Sequence, residues 1–247
     1  MNHGILVGCC GFALARAKYF RTFKLVEIQQ SFYEMPETDT ARRWRGEAPQ
    51  DFTFTVKAWQ LITHEPTSPT YRRLKTRLDS SSLGNCGSFK PTEEVLWAWE
   101  RTLEFASALG AQIVVFQCPS SFRPTPTNLD NMRTFFRTIP REGLVFAWEP
   151  RGQWPDELVG ALCRELDLIH SVDPFKGLPA YGNINYFRLH GVTGYAYSFT
   201  DEDLEHLLAW CRGKESYVLF NNISMGEDAI RFMAIAHGDI PRQAKLL

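Results

Sequence analysis

The chain of 247 residues lacks most of the features that settle a function at sight. Its six cysteines, Cys9, Cys10, Cys86, Cys118, Cys163 and Cys211, contain no C-x-x-C pair, and several sit inside apolar runs. They are expected to be buried, reduced thiols. The adjacent Cys9 and Cys10 leave a strand in opposite directions, which argues against a shared metal. No glycine-rich phosphate loop follows any apolar run, which weakens a nucleotide-binding open sheet. No window reaches the roughly 18 apolar residues that span a bilayer. The segment Met1–Gly8 has no basic stretch leading into a long apolar one, so no signal peptide, no membrane partner and a cytoplasmic location are expected. A net charge of −1 gives no long-range pull toward nucleic acid. Low-complexity segments and clear linkers are missing too, and one domain over residues 1–247 is expected.

What is present is apolar matter in short, regular pieces. Hydrophobic residues make up 44% of the chain and charged ones 22%, enough for a sizeable core. Apolar runs recur at Ile5–Val7, Leu25–Ile28, Phe52–Val56, Gln112–Phe116, Leu144–Trp148, Leu168–Val172, Tyr186–Leu189 and Tyr217–Phe220. Several are nearly continuous, as strands buried on both faces require. Helical spacing fills many gaps. Thr92 caps a helix that Gly110 ends, Pro155 opens another, and Thr200 opens a third with Leu204, Leu207, Leu208 and Cys211 on one face. A last helix over about residues 226–236 places Ala229, Ile230 and Met233 inward. About eight strands alternating with helices, with polar residues at nearly every strand end, predict a single (β/α)8 TIM-type barrel. A long loop over about residues 63–91 follows the third strand, as a lid or an ornament.

Active sites of such barrels lie at the carboxyl ends of the strands. Those ends carry Glu27 and Gln29, then Tyr33; Lys57, with His64 beyond; Gln117; Glu149, Arg151 and Trp154; Asp173; Arg188 and His190; Asn221 and Asn222. Each alone has an ordinary structural explanation. Together they force several charges into one partly buried mouth, at a cost of several kcal/mol each unless paired. Such a cluster points to binding or chemistry; a structural ion-pair plug is the competing reading.

Joined in order, the motifs Val26-Glu27-Ile28 with Phe32-Tyr33, Phe52-Thr53-Phe54-Thr55-Val56-Lys57-Ala58 with Thr63-His64, Phe116-Gln117-Cys118-Pro119, Trp148-Glu149-Pro150-Arg151, Phe187-Arg188-Leu189-His190-Gly191 and Phe220-Asn221-Asn222 resemble the Domain of Unknown Function 72 family, the YecE-like proteins. The resemblance implies a TIM-type barrel and no settled activity. Two positions depart from the common bacterial pattern. Gln29 stands where Asn often follows, and Ile223 stands where an acid often follows the paired asparagines, which marks a divergent subgroup.

The leading functional reading is an enzyme binding a small polar or anionic molecule, sugar-, phosphate- or carboxylate-containing. Lys57, Arg151 and Arg188 suit an anion, and Glu27, Tyr33, His64, Gln117, Trp154, Asn221 and Asn222 complete the binding set. Glu149 or His190 serves as base, with Lys57 and Asp173 also catalytic. A Schiff base on Lys57 would need Arg151 or Arg188 to lower its pKa, and it is disfavoured because lysine beside carboxylates is held protonated. A second reading uses a divalent metal on Glu149, Asp173 and His190, in isomerase or endonuclease fashion; no motif supports any cofactor. A glycosidase using Glu27 and Glu149, and a non-catalytic binder of small molecules or nucleic acid, are the remaining alternatives. For the last, the cluster Arg42, Arg43, Trp44 and Arg45 is more simply a solvated helix face.

Overall fold

A computed structural model of the chain describes residues 4–238. Eight parallel strands close into a barrel in sequence order: β1 (Ile5–Cys10), β2 (Leu25–Ile28), β3 (Thr53–Lys57), β4 (Ile113–Gln117), β5 (Val145–Glu149), β6 (Ile169–Val172), β7 (Asn185–Leu189) and β8 (Ser216–Phe220). Every expected apolar run is a strand, shifted by up to three residues at its ends. The ring shuts where β8 pairs with β1, from Ile5 opposite Ser216 to Cys9 opposite Phe220.

Strand periodicity divides the core in two. One set of side chains packs between the barrel and its helices, among them Val26, Phe54, Val114, Phe116, Phe146, Trp148, Phe187 and Phe220. The alternate set fills the lumen: Cys10, Leu25, Ile113, Val115, Ala147, Ile169, Tyr186, Tyr217 and Leu219. All six cysteines are buried and unbridged. Burial pushes the Cys9 thiol up to about 12 and the Cys10 thiol well above its ordinary value, so neither is a reactive thiolate.

The helix ends follow the sequence in part: Thr92 stands at the start of its helix, but its hydroxyl donates to the Asn85 carbonyl and makes no side-chain cap. Gly110 ends the helix Glu93–Leu109 in the left-handed conformation, φ 66°. Thr200 and Asp203 form a reciprocal capping box on the helix Asp201–Trp210. Replacing Thr200 with Ala is expected to cost about 1 kcal/mol, readable as a lowered urea midpoint. Pro155 sits one residue before its helix rather than inside it. In the last helix, Met225–His237, Ile230 is 43% exposed and Phe232 takes the inward place expected for it.

The Arg42–Arg45 cluster is a helix face, as its simpler reading has it. Trp44 is buried, Arg42 pairs with Asp39, and Arg45 lies over Phe54 while donating to the Phe52 carbonyl. The long loop after β3 is tied down at several points. Glu34 accepts from the backbones of Lys75 and Thr76, Lys90 pairs with Glu65, and the Tyr71 hydroxyl donates to the His64 carbonyl. These contacts tie the segment to the barrel, and its Ser68 and Thr70 line a cavity at the mouth.

Candidate functional site

Lumen-facing parity carries upward from the apolar layers into the strand-end polar residues. Above Leu25 comes Glu27; above Thr55, Lys57; above Val115, Gln117; above Ala147, Glu149; above Tyr186, Arg188. Glu27 on β2 meets Arg188 on β7 across the lumen, since these strands are not neighbours.

Arg188 is fully buried, and its donors are committed. Its Nε and Nη2 reach the Glu27 carboxylate at 3.0 and 2.8 Å, and its Nη1 donates to Glu149. The Tyr186 hydroxyl donates to Glu27 at 2.8 Å and lies 2.8 Å from the Thr55 hydroxyl. Gln29 donates to the other oxygen of Glu27. Glu149 gives its second oxygen to Arg151 Nε at 3.0 Å. Burial alone would raise the Glu149 carboxyl; Arg188 and Arg151 outweigh it and hold Glu149 well below the usual carboxylate range.

Lys57 is 5% exposed and differs from its neighbours. Its Nζ sits 3.7 Å over the Phe32 ring, and among the described residues it has no carboxylate or hydrogen-bond partner. Glu27 and Glu149 are matched by Arg188 and Arg151, so an ammonium on Lys57 is the unmatched cation. Burial and the Arg188 charge pull Lys57 down to about 7, against the opposing pull of the carboxylates. Both carboxylates, already paired with arginines, favour the protonated form without contacting Lys57. His64, against Phe32 at 4.8 Å, is lowered to about 3 by burial and by Lys57 and is neutral near pH 7.

On the other side of Arg151 stands His190. Arg151 Nη2 lies 3.0 Å from His190 Nε2. A guanidinium only donates, so Nε2 accepts and the ring proton is on Nδ1, 3.5 Å from Asp173 Oδ2. Asp173 also accepts the backbone N–H groups of His190 and Phe175. This arrangement does not suit the metal set Glu149, Asp173 and His190. The Glu149 oxygens and His190 Nε2 face arginines, and no group of three metal-ligating side chains occurs among the described residues. The glycosidase pair fails similarly, with Glu27 and Glu149 both bound to Arg188.

Two cavities open above this layer. One, of about 460 Å³, is lined by Glu149, Arg151, Trp154, Asp173, His190 and Tyr195, among others. The second, of about 580 Å³, is lined by Gln29, Tyr33, Lys57, His64, Gln117 and Asn221, and again by Arg151 and Tyr195.

Comparison with known proteins places this geometry in a family. The sequence profile described as "Protein of unknown function DUF72" matches residues 14–240. The chain belongs to the DUF72 family. A DUF72 family protein from Enterococcus faecalis is similar in structure, with 18% identity, 96% of this chain and 98% of that one covered, and a TM-score of 0.72. One from Thermotoga maritima shows 19% identity, coverage of 95% and 100%, and a TM-score of 0.65. The fold extends to a D-psicose 3-epimerase from Clostridium cellulolyticum, with 8% identity, coverage of 94% and 99%, and a TM-score of 0.58. No curated protein matches the chain. No helix among the described residues is long and apolar enough to cross a membrane.

Within this DUF72 barrel, the cavity walls bring together Tyr33, Lys57, His64, Gln117, Glu149, Arg151, Trp154, Asp173, His190 and Asn221. Three expected ligand contacts lie elsewhere. Glu27 and Arg188 are sealed beneath the mouth, both at 0% exposure, and each Arg188 nitrogen already donates to Glu27 or Glu149. Asn222 has the parity opposite to Asn221; its amide donates to the Tyr197 carbonyl and to Asp228. The strand-end motifs point to neither Tyr186 nor Tyr195 as a site residue. Tyr186 shares the parity of Arg188, a signal the sequence did contain. Tyr195 is half exposed, with its ring 5.6 Å from His190. It is carried on a turn that needs Gly191, where φ is 86° and a Cβ would meet the Gly194 carbonyl oxygen at 2.2 Å.

Proposed function

We propose that the mouth is the active site of an enzyme acting on a small molecule that carries a carboxylate or phosphate beside hydroxyls or a carbonyl. The observation that supports this most is Lys57, a buried amine opening into a cavity without a carboxylate of its own. A ligand anion between Lys57 and Arg151 would balance the excess positive charge where low dielectric strengthens the contact. Gln29, Gln117 and Asn221, on the same cavity wall, offer amides to hydroxyls or a carbonyl. The cavities, of about 460 and 580 Å³, suit a metabolite of sugar-phosphate size.

Glu149 is ill suited as a base, since arginines occupy both oxygens and favour its ionised form. His190 is better placed. When Arg151 turns to a ligand anion, it releases the Nε2 lone pair of a ring that Asp173 orients, and that nitrogen then moves the proton. The barrel itself leaves the reaction open, because this fold serves many chemistries.

Inorganic phosphate or citrate is expected to raise the melting temperature of the parent chain, by the equivalent of about 2.7 kcal/mol at 100 times Kd. A neutral polyol should have little effect. The rise should disappear in Lys57→Met and in Arg151→Met. An equal rise in both variants would place the anion elsewhere and sink the reading.

A further inference from the structure

We propose that Lys57 is the nucleophile of this site, forming an imine with the carbonyl carbon of a small aldehyde or ketone that carries an anionic group. The inference rests on the anion-binding reading above and adds to it the reacting atom and the substrate class. Its basis is geometric. Lys57 is the last residue of β3, fixed by the strand and by the Phe32 ring, and its Nζ opens into the 580 Å³ cavity. The charged and titratable groups that face it are Glu27 from β2, Glu149 and Arg151 from the end of β5, Arg188 from β7, and His64 just past β3. The two acids are matched to the two guanidiniums and His64 is neutral, so none of them pairs directly with Lys57. Exposed lysines such as Lys18 have no such surroundings. With Lys57 near 7, about half of it is free amine at neutral pH, against roughly one part in 3,000 for an ordinary lysine.

The step balances without a cofactor. The nitrogen lone pair attacks the carbonyl carbon, a C–N bond forms, and the carbonyl oxygen takes a proton. The carbinolamine then expels that oxygen as water. The free amine, the carbonyl compound and one proton yield an iminium ion and one water. The iminium is a cation in a pocket already balanced in charge, and the substrate's own anionic group, held by Arg151, compensates it. This selects carbonyl compounds with a carboxylate or phosphate over neutral ones.

The test uses the full chain near neutral pH with glyoxylate or dihydroxyacetone phosphate, trapping with sodium borohydride, and peptide mass mapping. Hydride from the borohydride reduces the iminium to a stable secondary amine. Lys57 should be labelled at least about ten-fold faster than Lys18 or Lys24, inorganic phosphate should slow the labelling, and dihydroxyacetone without the phosphate should label far less. Labelling no faster at Lys57 than at surface lysines overturns the proposal. If phosphate still raises the melting temperature in that case, the anion site stands without the imine; if it does not, both readings fall. Fast labelling that phosphate leaves untouched keeps the nucleophile and removes the anion anchor.

Discussion

The Lys57→Met variant is expected to be more stable than the parent chain by about 3–5 kcal/mol at pH 7 and below. The ordinary lysine value of 10.5 applies to the unfolded chain, and the folded value is about 7. Between these values the unfolded chain holds a proton that the folded chain has lost. The parent's stability therefore rises with pH across that window, and the cost of Lys57 is greatest below about pH 7. Methionine keeps a similar length and shape without the charge, so the packing against Phe32 survives. The advantage of the variant should shrink toward zero as pH approaches about 10.5. Urea denaturation of both proteins at pH 6, 8 and 10 reads this directly. Equal stability at pH 6 would mean that Lys57 is solvated or paired in a way the geometry does not describe. A gain would identify a side chain that costs the fold stability, as reactive groups commonly do.

Much of this was legible beforehand because a parallel barrel writes itself plainly. Strands covered on both faces need nearly unbroken apolar runs, and Ile113-Val114-Val115-Phe116 or Val145-Phe146-Ala147-Trp148 admit little else. Caps at Gly110 and Thr200 are local chemistry and need no tertiary knowledge. Ile230 failed because its helix buries only a narrow stripe, and Phe232 lies closer to the stripe's centre. The site was legible as a set of strand ends, not as a set of pairings. Which arginine matches which acid depends on strands opposite each other in the closed ring, with Glu27 and Arg188 lying 161 residues apart. That pairing decides the roles. It seals Arg188 beneath the mouth, gives both oxygens of Glu149 to arginines, and leaves Lys57 without a carboxylate partner among the described residues. Parity held more information than the motifs used, because counting in twos from Tyr217 and Leu219 keeps Asn221 at the mouth and turns Asn222 away.

Arg188→Met is expected to act in the opposite direction, costing about 3–5 kcal/mol at pH 7. The guanidinium bridges two carboxylates at 0% and 5% exposure, and its loss leaves two like charges in the lumen with only Arg151 in direct contact with one of them and Lys57 nearby. The pH dependence should change with it. In the parent, Glu149 is held ionised by its arginines, so its contribution is present above the ordinary carboxylate range and fades as acid protonates it. In the variant the uncompensated acids prefer to be neutral, so mild acid should recover part of the lost stability. Adding Glu27→Gln to Arg188→Met should recover part of it at pH 7 as well, because the second buried charge goes with the first. A loss below about 1 kcal/mol, or one that acid does not relieve, would show that water reaches the triad. The two variants together divide the charged layer by function. Arg188, Glu27 and Tyr186 form a buried, mutually bonded floor, and Lys57, Arg151 and His190 line the cavities above it, where we propose a ligand binds.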